Sequence, residues 1–234
     1  MTEPMEMIRE NCPDWERPFS EMGAARIFLN LYGDRVRYCH AWGRWLVWDG
    51  HRWATDETGG APISDLYRGV VAASIRRVSE APDTERPAAL RWCGDMHKAR
   101  TMNGVLTFVK LFPEIAVSPD DLDAAPWVLA CPNGYVDLRT GKLQPADRYL
   151  LVTKSTGVDY DAQATAPTWD AFLTEVQPDA DVRAFLQRSL GYAATGEPNR
   201  KTFWFFYGPG GNNGKTTFLE AAQGALGEYA MQAQ

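Results

Sequence analysis

The stretch FWFFYGPGGNNGKTTF, Phe203 to Phe218, constrains this chain more than any other part of it. The run KTFWFFY has no polar alternation after Thr202, as a strand buried on both faces of a parallel sheet requires. The following GKTTFLEAAQGAL places Phe218, Leu219, Ala222 and Leu226 at the spacing of an inward helical face. Strand, glycine-rich loop and helix form the context of a Walker A phosphate loop. Glycines let backbone N–H groups converge on phosphate oxygens, and the helix N-terminus adds the positive end of its dipole. Lys215 is suited to neutralise β- and γ-phosphate charge, and the Thr216 hydroxyl to ligate magnesium, so ATP with Mg2+ is the expected ligand. The pattern G-x-x-x-x-G-K-S/T puts its first glycine at Pro209, whereas the available glycine, Gly208, lies one residue upstream. The loop is therefore expected to be one residue longer, with Gly210 and Gly211 supplying the freedom to wrap a phosphate chain.

Upstream, SEMGAARIFLNLYG spaces Ala24, Ile27, Phe28 and Leu31 as a short amphipathic helix, with Ser20 as its cap and Gly33 as its stop. In RVRYCHAWGRWLVWDGHRWA, β-branched and aromatic residues flank Asp49-Gly50, a dipeptide suited to a type I′ hairpin turn. Trp42, Trp45, Trp48 and Trp53 then sit on a small sheet, where they build the core of a small module or, alternatively, stack unpaired bases beside Arg44 and Arg52. Between Ser64 and Pro113 the pattern is helical, with Leu66, Val70, Val71 and Val78 in one element and Met102, Val105, Leu106 and Val109 in another; Pro82 and Pro87 separate them. The region carries Arg68, Arg76, Arg77, Arg86, Arg91, Lys98, Arg100 and Lys110, a solvated helix face or a DNA-facing surface.

NGYVDLRTGKLQP reads as a second hairpin, with strands at Tyr135–Leu138 and Lys142–Gln144 around a Thr140-Gly141 turn, and YLLVTKSTGVDY as a further strand. The acids of Val158-Asp159-Tyr160-Asp161 run straight into the small-residue linker AQATAP, so they read as a strand end rather than a metal pair. Two helices follow. One carries Trp169, Phe172, Leu173 and Val176 behind a Thr168 cap, and the other Val182, Phe185, Leu186 and Leu190, with Gly191 weakening or ending it.

Composition excludes several classes. Interspersed charges give a net charge of -6, which favours solubility and gives no support to bulk polyanion binding. MTEPMEMIRENCPDW has no apolar core of a signal peptide, and no run approaches the roughly 20 apolar residues of a membrane span; a cytoplasmic protein without a membrane partner is expected. Cys12, Cys39, Cys93 and Cys131 lack disulfide-framework spacing. A zinc site would have to join Cys93 and His97 to Cys39-His40 with no C-x-x-C pair, so ordinary half-buried residues are expected there.

AARIFLNLYGDRVRYCHAWGRWLVWDGHRW, NGYVDLRTGKLQP and FLQRSLGYAATGEPNRKTFWFFYGPGGNNGKTTFLEAAQGALGEYA together resemble the phage and plasmid primase-helicase family, related to the poxvirus nucleoside triphosphatase-primase. The resemblance runs from about Ala24 onward. It implies an N-terminal domain followed by a superfamily 3 helicase motor, a homo-oligomeric ring that uses ATP to work on single-stranded or forked DNA. By motif match it gives Gly208, Gly210, Gly211, Asn212, Asn213, Gly214, Lys215, Thr216 and Thr217 the nucleotide-binding role, with Lys215 catalytic and Thr216 on the metal. The expected fold is α+β: an N-terminal domain of small β-hairpins and a helical segment at 1–160, a linker at 161–167, and at 168–234 a helical pair leading to the first strand-loop-helix of a P-loop α/β, AAA+-like domain. Family motors continue with Walker B acids, a sensor strand and an arginine finger, so the chain is expected to be incomplete and not to hydrolyse ATP alone. The competing expectation is a non-catalytic DNA-binding or helicase-loading module with an incomplete P-loop. A small-molecule kinase is disfavoured, because such enzymes usually begin with the loop.

Overall fold

The structure, a computed structural model, describes residues 19–79, 81–197, 203–208, 210–211 and 213–232. It is mixed α+β, with seven α-helices and two small sheets among the described residues. These form two compact units: the described residues up to Val47 with Thr55–Pro119, and Trp48–Ala54 with the described residues from Asp120 onward.

In the first unit α1, Glu21–Tyr32, starts where expected: the Ser20 hydroxyl accepts a hydrogen bond from the Gly23 N–H at 3.1 Å, and Gly33 is the C-cap. Its buried face is Ala24, Ala25, Ile27, Phe28 and Leu29. Leu31, expected on that face, is 43% exposed instead. Strand β1, Val36–Cys39, runs antiparallel to β2, Arg44–Trp48, with Val36 opposite Val47. On its other edge β1 pairs in parallel with the short β4, Ala116–Val117; the strand order is β3-β2-β1-β4, where β3 is Trp53–Thr55, of which Trp53 and Ala54 are counted with the second unit.

Three helices cover this unit: α2, Ala61–Val78; α3, Arg86–Asp95; and α4, Ala99–Lys110. The sequence pattern gives α2 and α4 but not α3, because Pro87 reads as a breaker. It lies in the first turn of α3, where a missing N–H costs nothing. Phe28, Val36, Val70, Val105, Val109 and Ile115 share one core, and Trp45 is buried in it.

In the second unit β5, Val128–Cys131, β6, Gly134–Asp137, and β7, Lys142–Gln144, form an antiparallel meander. Gly134 has φ 145°, and a Cβ on it would stand 2.2 Å from the Gln144 carbonyl oxygen, so the β5–β6 turn admits only glycine there. Asn133 beside it works like a strand residue: its Nδ2 donates to the Tyr160 carbonyl at 2.9 Å and its Oδ1 accepts from the Tyr160 N–H at 3.1 Å. The Tyr160 hydroxyl then donates to the Gly141 carbonyl at 2.7 Å, closing the β6–β7 loop.

The expected strand through Tyr149–Tyr160 is absent; Arg148–Leu150 is a 3-10 turn and the rest is irregular. Leu151 at φ 50° breaks the extended path, and other groups satisfy the backbone: Thr153 N–H donates to Asp123 Oδ1 at 2.7 Å and Thr156 N–H to the Ala130 carbonyl at 2.9 Å. Asp161 does not end a strand either, since its Oδ1 accepts from the Gln163 N–H at 2.8 Å in a local turn. The Asp49-Gly50 turn is longer than the two-residue form. Asp49 N–H donates to the Arg52 carbonyl at 3.1 Å, and its carboxylate accepts from the N–H groups of His51 and Arg52 at 3.1 and 3.0 Å. Trp53 beyond it is fully buried, its indole N–H donating to the Arg148 carbonyl at 2.8 Å.

Helix α5, Pro167–Val176, is capped at Ala166, so Thr168 lies inside it and not at the cap. Helix α6, Ala180–Ala193, is capped by the Asp179 carboxylate and continues through Gly191, which does not end it. Helix α7, Lys215–Leu226, is followed by a 3-10 turn at Gly227–Tyr229. Phe203–Tyr207, expected to be a buried strand, pairs with no strand among the described residues. Phe203, Phe205 and Tyr207 are 87%, 82% and 83% exposed; Trp204, also exposed, lies edge-on to the Tyr192 ring, and the partly buried Phe206 packs against Phe218. A strand is defined by its neighbours, and none among the described residues holds it. No P-loop α/β domain is therefore evident among the described residues. No helix among them is long and apolar enough to cross a membrane.

Candidate functional site

The glycine-rich loop gains its shape from the start of α7. Gly214 is the N-cap at φ 75°, and a Cβ there would stand 2.7 Å from Val176 Cγ1 and 3.1 Å from the Phe172 ring. Conformation and packing both demand glycine at this position. Phe218, buried one turn on, lies 5.5 Å from the Trp169 ring at 24°, so α5 fixes where α7 begins. The first intrahelical bond runs from Phe218 N–H to the Gly214 carbonyl at 2.9 Å, and no side chain caps the helix. The N–H groups of Lys215, Thr216 and Thr217 thus lack intrahelical partners and carry the positive end of the helix dipole.

The loop folds back on itself in front of that terminus. Lys215 Nζ donates to Asn213 Oδ1. A Cβ on Gly208 would stand 2.4 Å from Asn213 Nδ2 and 3.6 Å from Lys215 Nζ, so Gly208, Asn213 and Lys215 converge although seven residues separate the first from the last by number. Asn213 Nδ2 itself is buried with no hydrogen-bond partner among the described residues, a donor available to an acceptor brought from outside. Gly210 has φ 73°, and Gly210 and Gly211 have open space around them. Asn212 lies outside the described residues. Thr216 and Thr217 are exposed, and Thr216 also edges a cavity of about 520 Å³ lined by Leu190, Trp204, Phe218 and Leu226. An ammonium group, free helix N–H groups and an orphan amide donor make a receptor for an anion with several oxygens.

The other expected sites fare differently. Trp45 and Trp53 are core residues and offer no face to a base, whereas Trp42 is exposed. Within the basic helical region, Arg68 pairs with Asp65 at 3.1 Å, Arg86 with Asp83 at 2.6 Å and Lys98 with Asp95 at 2.5 Å, each one turn away on the surface. Lys110 Nζ lies over the Tyr38 ring at 4.6 Å. Cys39 is buried in the core, the His40 Nε2 is 2.9 Å from the Lys110 carbonyl, and no His, Cys, Asp and Glu group that could hold a metal occurs among the described residues. Arg52, read from the sequence as a residue that could stand beside stacked bases, instead donates to Glu228 at the far end of α7, where Tyr229 also bonds; nothing in the local sequence marks Glu228 or Tyr229 for this.

Residues 25–178 match the family described as D5 N terminal like. The chain is also similar to "Putative helicase 121R" of Invertebrate iridescent virus 3, 23% identical over 171 residues that make up 71% of this chain and 17% of the viral protein. "Putative helicase L207/L206" of Acanthamoeba polyphaga mimivirus is 28% identical over 133 residues, 54% of this chain and 13% of that one. The chain thus spans less than a fifth of the length of these relatives. The family match opens inside α1 and closes just beyond α5, taking in both sheets and the Asn133 hairpin, while the glycine loop lies past its end. With most of its length inside that match, the chain belongs to the D5 N terminal like family.

Proposed function

We propose that this chain is the N-terminal part of an ATP-dependent replicative DNA helicase or primase-helicase of a phage- or plasmid-like mobile element, and that it binds ATP-Mg2+ through residues 208–217. The observation that carries this reading is the uncapped α7 N-terminus with Lys215 Nζ and Asn213 gathered against Gly208. Lys215 neutralises the β- and γ-phosphates, and the N–H groups of Gly214, Lys215, Thr216 and Thr217 surround the phosphate chain. Gly208, Gly210 and Gly211 close the loop over it, Asn212 is assigned to the site by motif match alone, and the exposed Thr216 hydroxyl is a magnesium ligand. Residues 168–234 open the motor, DNA is the polymer it acts on, and the full-length protein works as a homo-oligomeric ring in the cytoplasm. Similarity to two viral proteins named as helicases supports the helicase part of this reading.

Titration of the purified chain with a fluorescent ATP analogue in the presence of magnesium tests it. Lys215→Ala is expected to weaken binding about ten-fold or more, the equivalent of ~1.4 kcal/mol. Equal affinity of the two proteins removes Lys215 from the site and leaves the non-catalytic DNA-binding module as the better description.

A further inference from the structure

The C-terminal end of α7 is gripped as firmly as its N-terminal end. Immediately after the helix, Glu228 Oε2 accepts hydrogen bonds from Arg52 Nη1 and, at 3.0 Å, from the Ser155 N–H. Arg52 Nη1 also donates to the Thr153 carbonyl at 3.1 Å, and Asp49 Oδ2 lies 3.3 Å from its Nε. The backbone joins in: Glu228 N–H donates to the Ser155 carbonyl at 3.1 Å and Gly157 N–H to the Ala225 carbonyl at 3.3 Å. The Tyr229 hydroxyl donates to the Lys154 carbonyl and accepts from the Ala130 N–H, both at 3.1 Å. A Cβ on Gly157 would stand 2.3 Å from the Gly224 carbonyl oxygen, so the two backbones touch. The turn after α7 is thereby clasped by β5, by residues 153–157 and by the tip of the Asp49–Arg52 loop.

One uninterrupted helix joins this clasp to the phosphate loop. Its 12 residues span about 18 Å at 1.5 Å per residue. Between its ends α7 is held weakly, with Leu219 half exposed and Phe218 as its one buried side chain. Its axial position is therefore set at the two ends.

We infer that Arg52, Glu228 and Tyr229 are positioning residues for the nucleotide site: they fix α7 along its axis so that its N-terminal N–H groups and Lys215 meet the phosphates. This rests on the ATP reading above. Linkage makes the effect reciprocal, so phosphates bound at Gly214–Thr217 must tighten the clasp by the same factor by which the clasp favours their binding. A residue that merely held the fold together would share only the general protection that ligand binding gives every amide of the unit, so the clasp amides must slow more than the other amides of β5 and β6.

Hydrogen exchange on the whole chain, with and without a non-hydrolysable ATP analogue and magnesium, reads this directly. Saturating analogue is expected to slow exchange at the Ala130, Ser155, Gly157 and Glu228 amides, and Tyr229→Phe to weaken analogue binding about five-fold or more. Glu228→Gln, which keeps an acceptor oxygen for Arg52 and Ser155, is expected to bind better than Glu228→Ala. Wild-type protein that binds the analogue with no slowing at these amides overturns the inference and leaves the ATP reading standing. So does Tyr229→Phe with accelerated clasp exchange and unchanged affinity. Wild-type protein that binds no analogue overturns both.

Discussion

Two tyrosine hydroxyls, that of the buried Tyr67 and that of the half-buried Tyr229, set how the folded chain responds to alkali. The Tyr67 hydroxyl donates to the Met96 carbonyl at 2.9 Å and is pushed up to about 12, by burial first and the nearby Glu21 charge second. Tyr229 is likewise pushed up to about 12, by burial, with the Ala130 N–H partly offsetting it and Asp123, Cys131 and Glu228 adding to it. Folded protein therefore holds these protons more tightly than unfolded protein, whose tyrosines release them near 10.0. The stabilisation is complete below 10.0 and is lost as pH rises towards about 12. Urea unfolding midpoints are expected to fall across that window, and the fall to be shallower in Tyr67→Phe; midpoints flat through it contradict the assignment. At this scale the sequence was partly legible. Ser20 as a cap and Gly214 before the helix follow from local chemistry, because a cap bonds within its own first turn. Asn133 was visible only as half of an Asn-Gly pair, since its partner Tyr160 is 27 positions away and nothing local names it.

Helices were legible as elements and strands much less so. The apolar spacing of α1, α2, α4, α5, α6 and α7 is a property of each segment alone, and each is found where that spacing lies. By contrast β5, the four-residue run VLAC, is too short for periodicity to single out, and it exists because β6 pairs with it from Val128–Asp137 to Cys131–Gly134. The opposite error at Phe203–Tyr207 has the same origin: a run suited to a strand has no ladder to join among the described residues. Helix α7 was legible in the spacing of its own residues, but the Lys215–Asn213–Gly208 convergence required the fold. Because the first turn of α7 rests on Phe218 against Trp169 and Phe206, Phe218→Ala is expected to cost about 3 kcal/mol and to weaken nucleotide binding with it. Calorimetric unfolding with a shift of less than a degree would show that α7 is held by other means.

Across the whole molecule charge is unevenly spread. The net value is -6, yet Arg68 to Lys110 contains eight cations, of which Arg68, Arg86 and Lys98 pair with their own acids. DNA binding by this chain is accordingly expected to be modest and salt-sensitive, and Arg76→Glu with Arg77→Glu to weaken it. Fluorescence anisotropy with a labelled single strand at low and raised salt decides: affinity indifferent to both changes excludes this surface. The two-unit arrangement has a different consequence. Trp53 belongs to the unit that begins again at Asp120, and its indole N–H finds its acceptor, Arg148, 95 positions later. At about 5–20 residues per second, a ribosome delivers that acceptor on the order of 5–20 s after Trp53 has been made. Through that interval the Trp53 indole N–H lacks the acceptor it has in the finished fold and must be satisfied by water.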